Sequence, residues 1–163
     1  MTEIDIRQVE TADETTAARQ IFREYEAWLG LDLCFQGFEE ELKNLPGKYS
    51  PPVGRLYLAY SGKDLAGCIA MRDLGESVCE MKRLFVREEF RGQRLGRLLI
   101  EKLIGDARGF GYKKMRLDTF PPKMGKAVQL YESYGFSEIR PYYNNPHEGV
   151  LFMELDLSGT ERH

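Results

Sequence analysis

The run of residues 90–105, Phe-Arg-Gly-Gln-Arg-Leu-Gly-Arg-Leu-Leu-Ile-Glu-Lys-Leu-Ile-Gly, sets a glycine-punctuated, arginine-rich turn between a strand-like and a helix-like pattern. Such a turn presents backbone N–H groups to an anion at the positive end of a helix dipole. Arg91, Arg94 and Arg97 crowd the helix start, where the macrodipole penalises cations and favours carboxylates. An external polyanion reverses that penalty, so phosphate binding is the chemistry expected here; a solvated basic face on a surface helix is the alternative. The segment lacks the Lys-Ser/Thr of a nucleotide P-loop and the later glycine of a dinucleotide-binding turn.

Other reactive residue types are sparse. Cys34, Cys68 and Cys79 form an odd set with no Cys-x-x-Cys spacing and no nearby histidine pair. That argues against a zinc site or a disulfide framework and points to a reducing, cytoplasmic setting. Cys79 has no neighbour in sequence that would stabilise a thiolate, so it makes a poor acyl carrier. His147 and His163 are too few and too far apart for a metal or a Ser-His pair and read as surface residues; no metal is expected. Asp118-Thr119 ends a strand pattern beside Pro121-Pro122, either facing a cleft or capping a local turn.

The 163 residues, 42% apolar with net charge −3, suffice for one domain over 1–163 with its core at about 4–157. No apolar run approaches the ~20 residues that cross a bilayer, and the start, Met-Thr-Glu-Ile-Asp-Ile, lacks the regions of a secretory signal, so no membrane association is expected. Residues 82–116 carry 11 Lys/Arg against 4 Asp/Glu, which leaves the remainder strongly acidic. These basic residues interleave with Leu84, Phe85, Val86, Leu98, Leu99, Leu103 and Ile104 at packing periods, without an aromatic stacking motif or a basic tail. A compact phosphate-bearing ligand fits that pattern better than a nucleic acid.

Such residues need elements to hold them. Residues 3–9 alternate as a half-buried strand. Thr11-Ala-Asp-Glu14 has capping-box spacing and opens a helix with Ala18, Ile21, Phe22, Tyr25, Trp28 and Leu29 on one face, ending near Gly30. A second, short helix spans Phe35, Phe38, Leu42 and Leu45 and stops at Pro46-Gly47. Strands follow at 56–60 and 65–71 around a Ser61-Gly62-Lys63-Asp64 turn. The next begins after Leu74-Gly75-Glu76 and runs over 78–86 into the glycine-arginine turn. A helix from about Leu95 ends at Gly109 and Gly111, and a strand at 115–120 is closed by Pro121-Pro122. A helix over 123–134 carries Ala127, Leu130, Tyr131 and Tyr134 on one stripe and stops at Gly135. Strands at 136–139 and 150–157 flank a loop with Tyr142-Tyr143-Asn144-Asn145-Pro146. This is a mixed α/β order, meandering strands first and a βαβα unit after, which excludes a purely parallel doubly wound sheet.

Together these residues resemble the GNAT superfamily of acyl-CoA-dependent N-acetyltransferases, over about residues 4–157. The family fingerprint is Arg or Gln, two residues, Gly, one residue, then Gly or Ala, between the fourth strand and the third helix. Arg91 and Gly96 match its ends; Arg94 stands at its middle glycine, with less backbone freedom but an added cation. Ala127-Val-Gln-Leu-Tyr131-Glu-Ser-Tyr-Gly-Phe136 resembles the family's late helix followed by Gly-Phe. The resemblance implies a mostly antiparallel mixed seven-stranded sheet, splayed between strands four and five, with about four flanking helices.

It also implies transfer of an acetyl group from acetyl-CoA to a primary amine by direct attack in a ternary complex; the contrasting expectation is a catalytically inactive acyl-CoA sensor or interaction domain. The coenzyme would be held by Arg91, Gly92, Gln93, Arg94, Leu95, Gly96 and Arg97. Its pantetheine arm would run along Leu84, Phe85 and Val86, whose splayed main chain needs hydrogen-bond partners. A Leu84 or Phe85 N–H would polarise the carbonyl. Glu80 matches a position where several members place a base, and burial in an apolar strand would raise its pKa; an ion pair with Lys82 or Arg83 is the alternative. Tyr131 matches the general-acid position, its phenol protonated at neutral pH, although a core tyrosine would have the same spacing. Met124 replaces an asparagine that many relatives carry. The acceptor, a small-molecule or peptide amine, is expected between about residues 28–49 and 142–146, with Trp28, Tyr49, Asp118 and Tyr143 as candidates and Glu39, Glu40 and Glu41 suiting an amine. Family habit adds a homodimer.

Overall fold

The computed structural model describes residues 3–33 and 37–158; Cys34, His163 and the Phe35 end of the expected second helix lie outside the described residues. Strand β1 (Ile4–Gln8) leads into α1 (Ala12–Leu29), α2 (Phe38–Lys43) and three strands, β2 (Arg55–Ser61), β3 (Asp64–Gly75) and β4 (Val78–Val86). Then come α3 (Leu95–Phe110), β5 (Lys114–Thr119), α4 (Pro121–Ser133), β6 (Ser137–Ile139) and β7 (Leu151–Asp156). The strands form one seven-stranded mixed sheet in the order β1-β2-β3-β4-β5-β7-β6, antiparallel except where β4 meets β5, as the resemblance implies.

Local chemistry fixes α1. The Thr11 hydroxyl accepts the Glu14 N–H at 3.1 Å while the Glu14 carboxylate accepts the Thr11 N–H at 3.0 Å, and left-handed Gly30 (φ 76°) ends the helix. Its buried face, including Ile21, Phe22 and Tyr25, packs with Leu56, Leu58 and Ala70 on one side of the sheet. On the other side Leu99, Ile100 and Leu103 of α3 pack with Ile69, Met81 and Leu117. Among the described residues no helix is long and apolar enough to cross a membrane.

Two boundaries differ from expectation. Strand β3 continues past residue 71 because Arg72 and Asp73 pair with Glu80 and Cys79 across a hairpin. Its turn is made by Glu76 and Ser77, both left-handed (φ 56° and 66°), the backbone a tight hairpin of this hand requires. Helix α4 starts at Pro121 rather than 123: prolines that read as strand closers occupy the first helical positions, where a missing N–H is harmless.

The feature that matters for function is local. Strands β4 and β5 pair only at Val78↔Lys114, Cys79↔Met115 and Glu80↔Arg116, so from Met81 onward that edge of β4 has no strand partner. The register against β3 also slips between Cys68 and Ala70, and Arg83 takes φ 63° in the resulting bulge.

Candidate functional site

The divergence of β4 from β5 opens a groove of about 670 Å³. Trp28, Leu84, Phe85, Val86, Arg91 and Gly96 line one wall, and residues 121–127 with Leu130 line the other. At one end lies the turn before α3, with Gly92 (φ 89°) and Arg94 (φ 66°) both left-handed. The first backbone bond of α3 runs from the Leu98 N–H to the Arg94 carbonyl at 3.0 Å. Hence the amide N–H groups of residues 92–97 donate to no protein acceptor among the described residues, a concave row of donors at a helix N-terminus. Arg94 in the glycine position of the fingerprint bears a left-handed backbone that costs about 1–2 kcal/mol in a non-glycine residue. Leu95 contributes only main chain, since its side chain is buried, and Gln93 is exposed beside it.

The Arg91 guanidinium donates to the Val86 carbonyl at 2.9 Å and lies over Trp28 and Phe85, 5.0 and 5.8 Å from the ring centroids. Lys123 also reaches the Trp28 ring, at 5.2 Å. Trp28, expected on the acceptor side, is therefore a wall of the main groove; the last turn of α1 carries it there.

Deep in the splay, Tyr131 lines a smaller cavity together with Lys82, Arg83, Leu84, Asp118 and Met124. Its ring packs 5.7 Å from Phe136, and no described residue hydrogen-bonds its hydroxyl. Burial pushes the phenol pKa up, so it is protonated at neutral pH. Being a core residue and facing the cavity are compatible.

Glu80 departs from expectation. Its side chain, 1% exposed, accepts Arg72 Nε at 2.7 Å and the Tyr142 hydroxyl at 2.6 Å, with Lys82 Nζ at 3.9 Å. Burial alone would raise its pKa, but Lys82, Arg72 and Tyr142 outweigh it and hold the carboxyl below its usual range. The expected upward shift is thus reversed. Arg83 is not its partner: its Nε and Nη2 donate to the Glu41 carboxylate at 3.0 and 2.8 Å, with both side chains 3% exposed. Glu41 is thereby committed and Glu39 lies on the surface with Arg23 at 3.1 Å, while Glu40 and Glu41 line a separate cavity of about 250 Å³ with Lys48 that does not include Tyr131. Tyr49 is also corrected: it is fully buried and edge-on to Phe22, its hydroxyl meets no hydrogen-bond partner of good geometry among the described residues, and it cannot contact an acceptor.

The other two acceptor-side candidates do meet. The Tyr143 hydroxyl donates to Asp118, and Asn145 Nδ2 donates to Tyr143 at 2.8 Å. Asp118, Asn145 and His147 line a cavity that also holds Tyr25 and Arg83. His147 is more than a surface histidine, since its Nε2 lies 2.9 Å from the Asp32 carbonyl and ties the β6–β7 loop to the segment after α1. Lys82 was visible in the sequence only as a partner for Glu80. Burial, then Arg83 beside it, push its ammonium down to about 8. The available signal is two adjacent cations that, with Glu80, interrupt an apolar strand. Burial raises the thiol of Cys79 to about 12, so it is inert.

A mixed sheet splayed at its centre, with an amide-lined turn at the mouth of the splay, is the architecture of an acyl-group transferase. Residues 15–136 match the model of the acetyltransferase (GNAT) family. An uncharacterised N-acetyltransferase of Schizosaccharomyces pombe is 40% identical over 157 residues, 95% of this chain and 96% of that protein. A GNAT-family acetyltransferase of Staphylococcus aureus superposes with a TM-score of 0.79 at 20% identity, over 96% of this chain and all of the other. A Salmonella typhimurium protein solved with its cofactor acetyl-CoA gives 0.66 at 20% identity, over 98% of this chain and 96% of that one. The chain belongs to the GNAT family of acetyltransferases.

Proposed function

We propose that this protein transfers an acetyl group from acetyl-CoA to a primary amine by direct attack in a ternary complex. The observation that carries this is the row of undonated amides at 92–97, set at the end of a groove that follows the unpaired edge of β4. The groove fits the coenzyme's chemistry: amides and the Arg94 and Arg97 cations suit a diphosphate, and the edge of β4 that β5 leaves uncovered past Glu80 suits the amides of a pantetheine arm running along Leu84, Phe85 and Val86 in the manner of an added strand, the Val86 carbonyl being already taken by Arg91. The acetyl-CoA held by the Salmonella neighbour supports the same donor.

Bound acetyl-CoA supplies the thioester. A β4 amide, from Leu84 or Phe85, polarises the thioester carbonyl, and the protonated Tyr131 hydroxyl donates to the departing sulfur. Glu80, held as an anion by Lys82, Arg72 and Tyr142, is engaged in that network, and the amine loses its proton to water on the acceptor side. Tyr131→Phe is expected to lower kcat by about 10²-fold or more while acetyl-CoA binding stays within a few-fold of wild type. Thiol release at the wild-type rate by that variant would overturn the assignment.

A further inference from the structure

Met124 stands where three spaces meet. Among the described residues it alone lines the large groove of about 670 Å³ and both small cavities behind it, of about 20 and 30 Å³. Helix α4 is broken at this residue: Met124 has φ −122° and ψ 34°, outside the helical range, just after the two prolines that begin the helix. Its half-buried side chain packs against the cluster that holds Tyr25 and Phe85, and the Thr119 hydroxyl donates to its sulfur at 3.7 Å. Met124 is a partition between the groove and what lies deeper. In the function proposed above, the thioester carbonyl meets a β4 amide at Leu84 or Phe85 and the sulfur meets Tyr131. Any acyl carbon beyond the carbonyl must therefore enter the space that Leu84, Tyr131 and Met124 bound. That space, about 20 Å³, holds one water or one methyl group.

We propose that Met124 sets the length of the acyl group, closing the donor site behind the methyl of an acetyl group and refusing longer chains. This rests on the acetyltransferase function proposed above and adds the determinant of its donor specificity. The walls past Met124 bar extension by size and by polarity together. Tyr25, Met81 and Leu117 are buried there and leave no slack, and beside them lie the charged groups of Lys82, Arg83 and Asp118. Those charges are engaged already, Lys82 with Glu80, Arg83 with Glu41 and Asp118 with the Tyr143 hydroxyl, so an apolar chain pushed among them would strip contacts it cannot replace. The second cavity offers no more room. Of the residues around the acyl end, Tyr25 and Tyr131 are core side chains, whereas Met124 is an unbranched, half-buried thioether at a helix break. Shortening it lengthens the donor site into the space the thioether fills, without touching the charged wall.

The test is calorimetric titration of wild type, Met124→Ala and Met124→Leu with coenzyme A, acetyl-CoA and butyryl-CoA, which needs no knowledge of the acceptor. The reading is the ratio of each acyl-CoA Kd to the Kd of coenzyme A in the same protein, so any general effect of the substitution on the groove cancels. In wild type, butyryl-CoA is expected to bind about tenfold or more weakly than acetyl-CoA, a gap that closes in Met124→Ala and persists in the volume-conserving Met124→Leu. Equal affinity of wild type for acetyl-CoA and butyryl-CoA, or an unchanged ratio in Met124→Ala, would overturn the inference and leave the transferase intact. No heat from coenzyme A itself would show instead that the coenzyme assignment had failed, and the inference with it.

Discussion

Glu80 and Lys82 lie two residues apart on β4 and depart from ordinary behaviour in ways that can be measured separately. The folded carboxyl of Glu80 titrates below its usual range, so its contribution to stability is fully present above about pH 4.3 and is lost as pH falls through the lower folded value. Glu80→Gln strands Arg72 and Lys82, a loss of about 3 kcal/mol that should lower Tm at pH 7 by roughly 6–12 °C, and its stability should fall less steeply with acid than that of wild type. An unchanged Tm would mean the network carries no energy. Lys82 has the opposite consequence. Faced by Arg83 and Glu80 on its own strand, Asp118 on β5 and Lys48 beyond α2, it titrates near 8 when folded against about 10.4 when unfolded. The unfolded chain therefore holds more protons between those values, and wild-type stability should rise as pH climbs from about 8 to 10.5. Lys82→Met should remove that rise while leaving Tm at pH 7 equal or higher; thermal melts at pH 7 and 10 check both, and parallel slopes for the two proteins would contradict the buried-cation account.

At the scale of elements, the turn into α3 carries strain and, in the function proposed above, the coenzyme's diphosphate. Arg94 holds a left-handed conformation that glycine adopts freely, so Arg94→Gly should gain up to about 1 kcal/mol in stability, read as a higher Tm. The same change should weaken coenzyme binding several-fold by removing a cation at the amide row; an equal Kd would show that the main chain alone holds the diphosphate. Elements of this kind were legible in sequence because their signals are local: the Thr11–Glu14 box, the glycine ending α1, the glycine-arginine turn and the Tyr131 stripe all act within a few residues. What escaped depends on distant pairing. Tyr142 reaches Glu80 from 62 positions away and Glu41 reaches Arg83 from 42, so no spacing announces either, and the downward shift of Glu80 is not legible from its own strand for that reason. Trp28 and Tyr49 were both assigned to the acceptor side from their neighbourhood along the chain, yet the direction each side chain takes from its backbone put one in the main groove and the other in the core. The Pro121-Pro122 pair failed differently: the same residues end a strand and begin a helix, and only packing decides.

The whole molecule joins a basic segment, residues 82–116, to an acidic remainder, and the fold places the end of β4 and the start of α3, both within that segment, at the mouth of the central splay. On the function proposed above, that mouth would attract a polyanion and the apolar groove behind it would favour one with a slender arm over a duplex. Weakening of affinity with added salt should accordingly be moderate, in keeping with a compact anion rather than an extended one. The most direct test of the account is a calorimetric titration of the purified protein with acetyl-CoA and with coenzyme A. Saturable one-to-one binding of both, with a submillimolar Kd that rises in Arg94→Gly and as salt increases, is the predicted result. No heat at millimolar concentrations of either would contradict it.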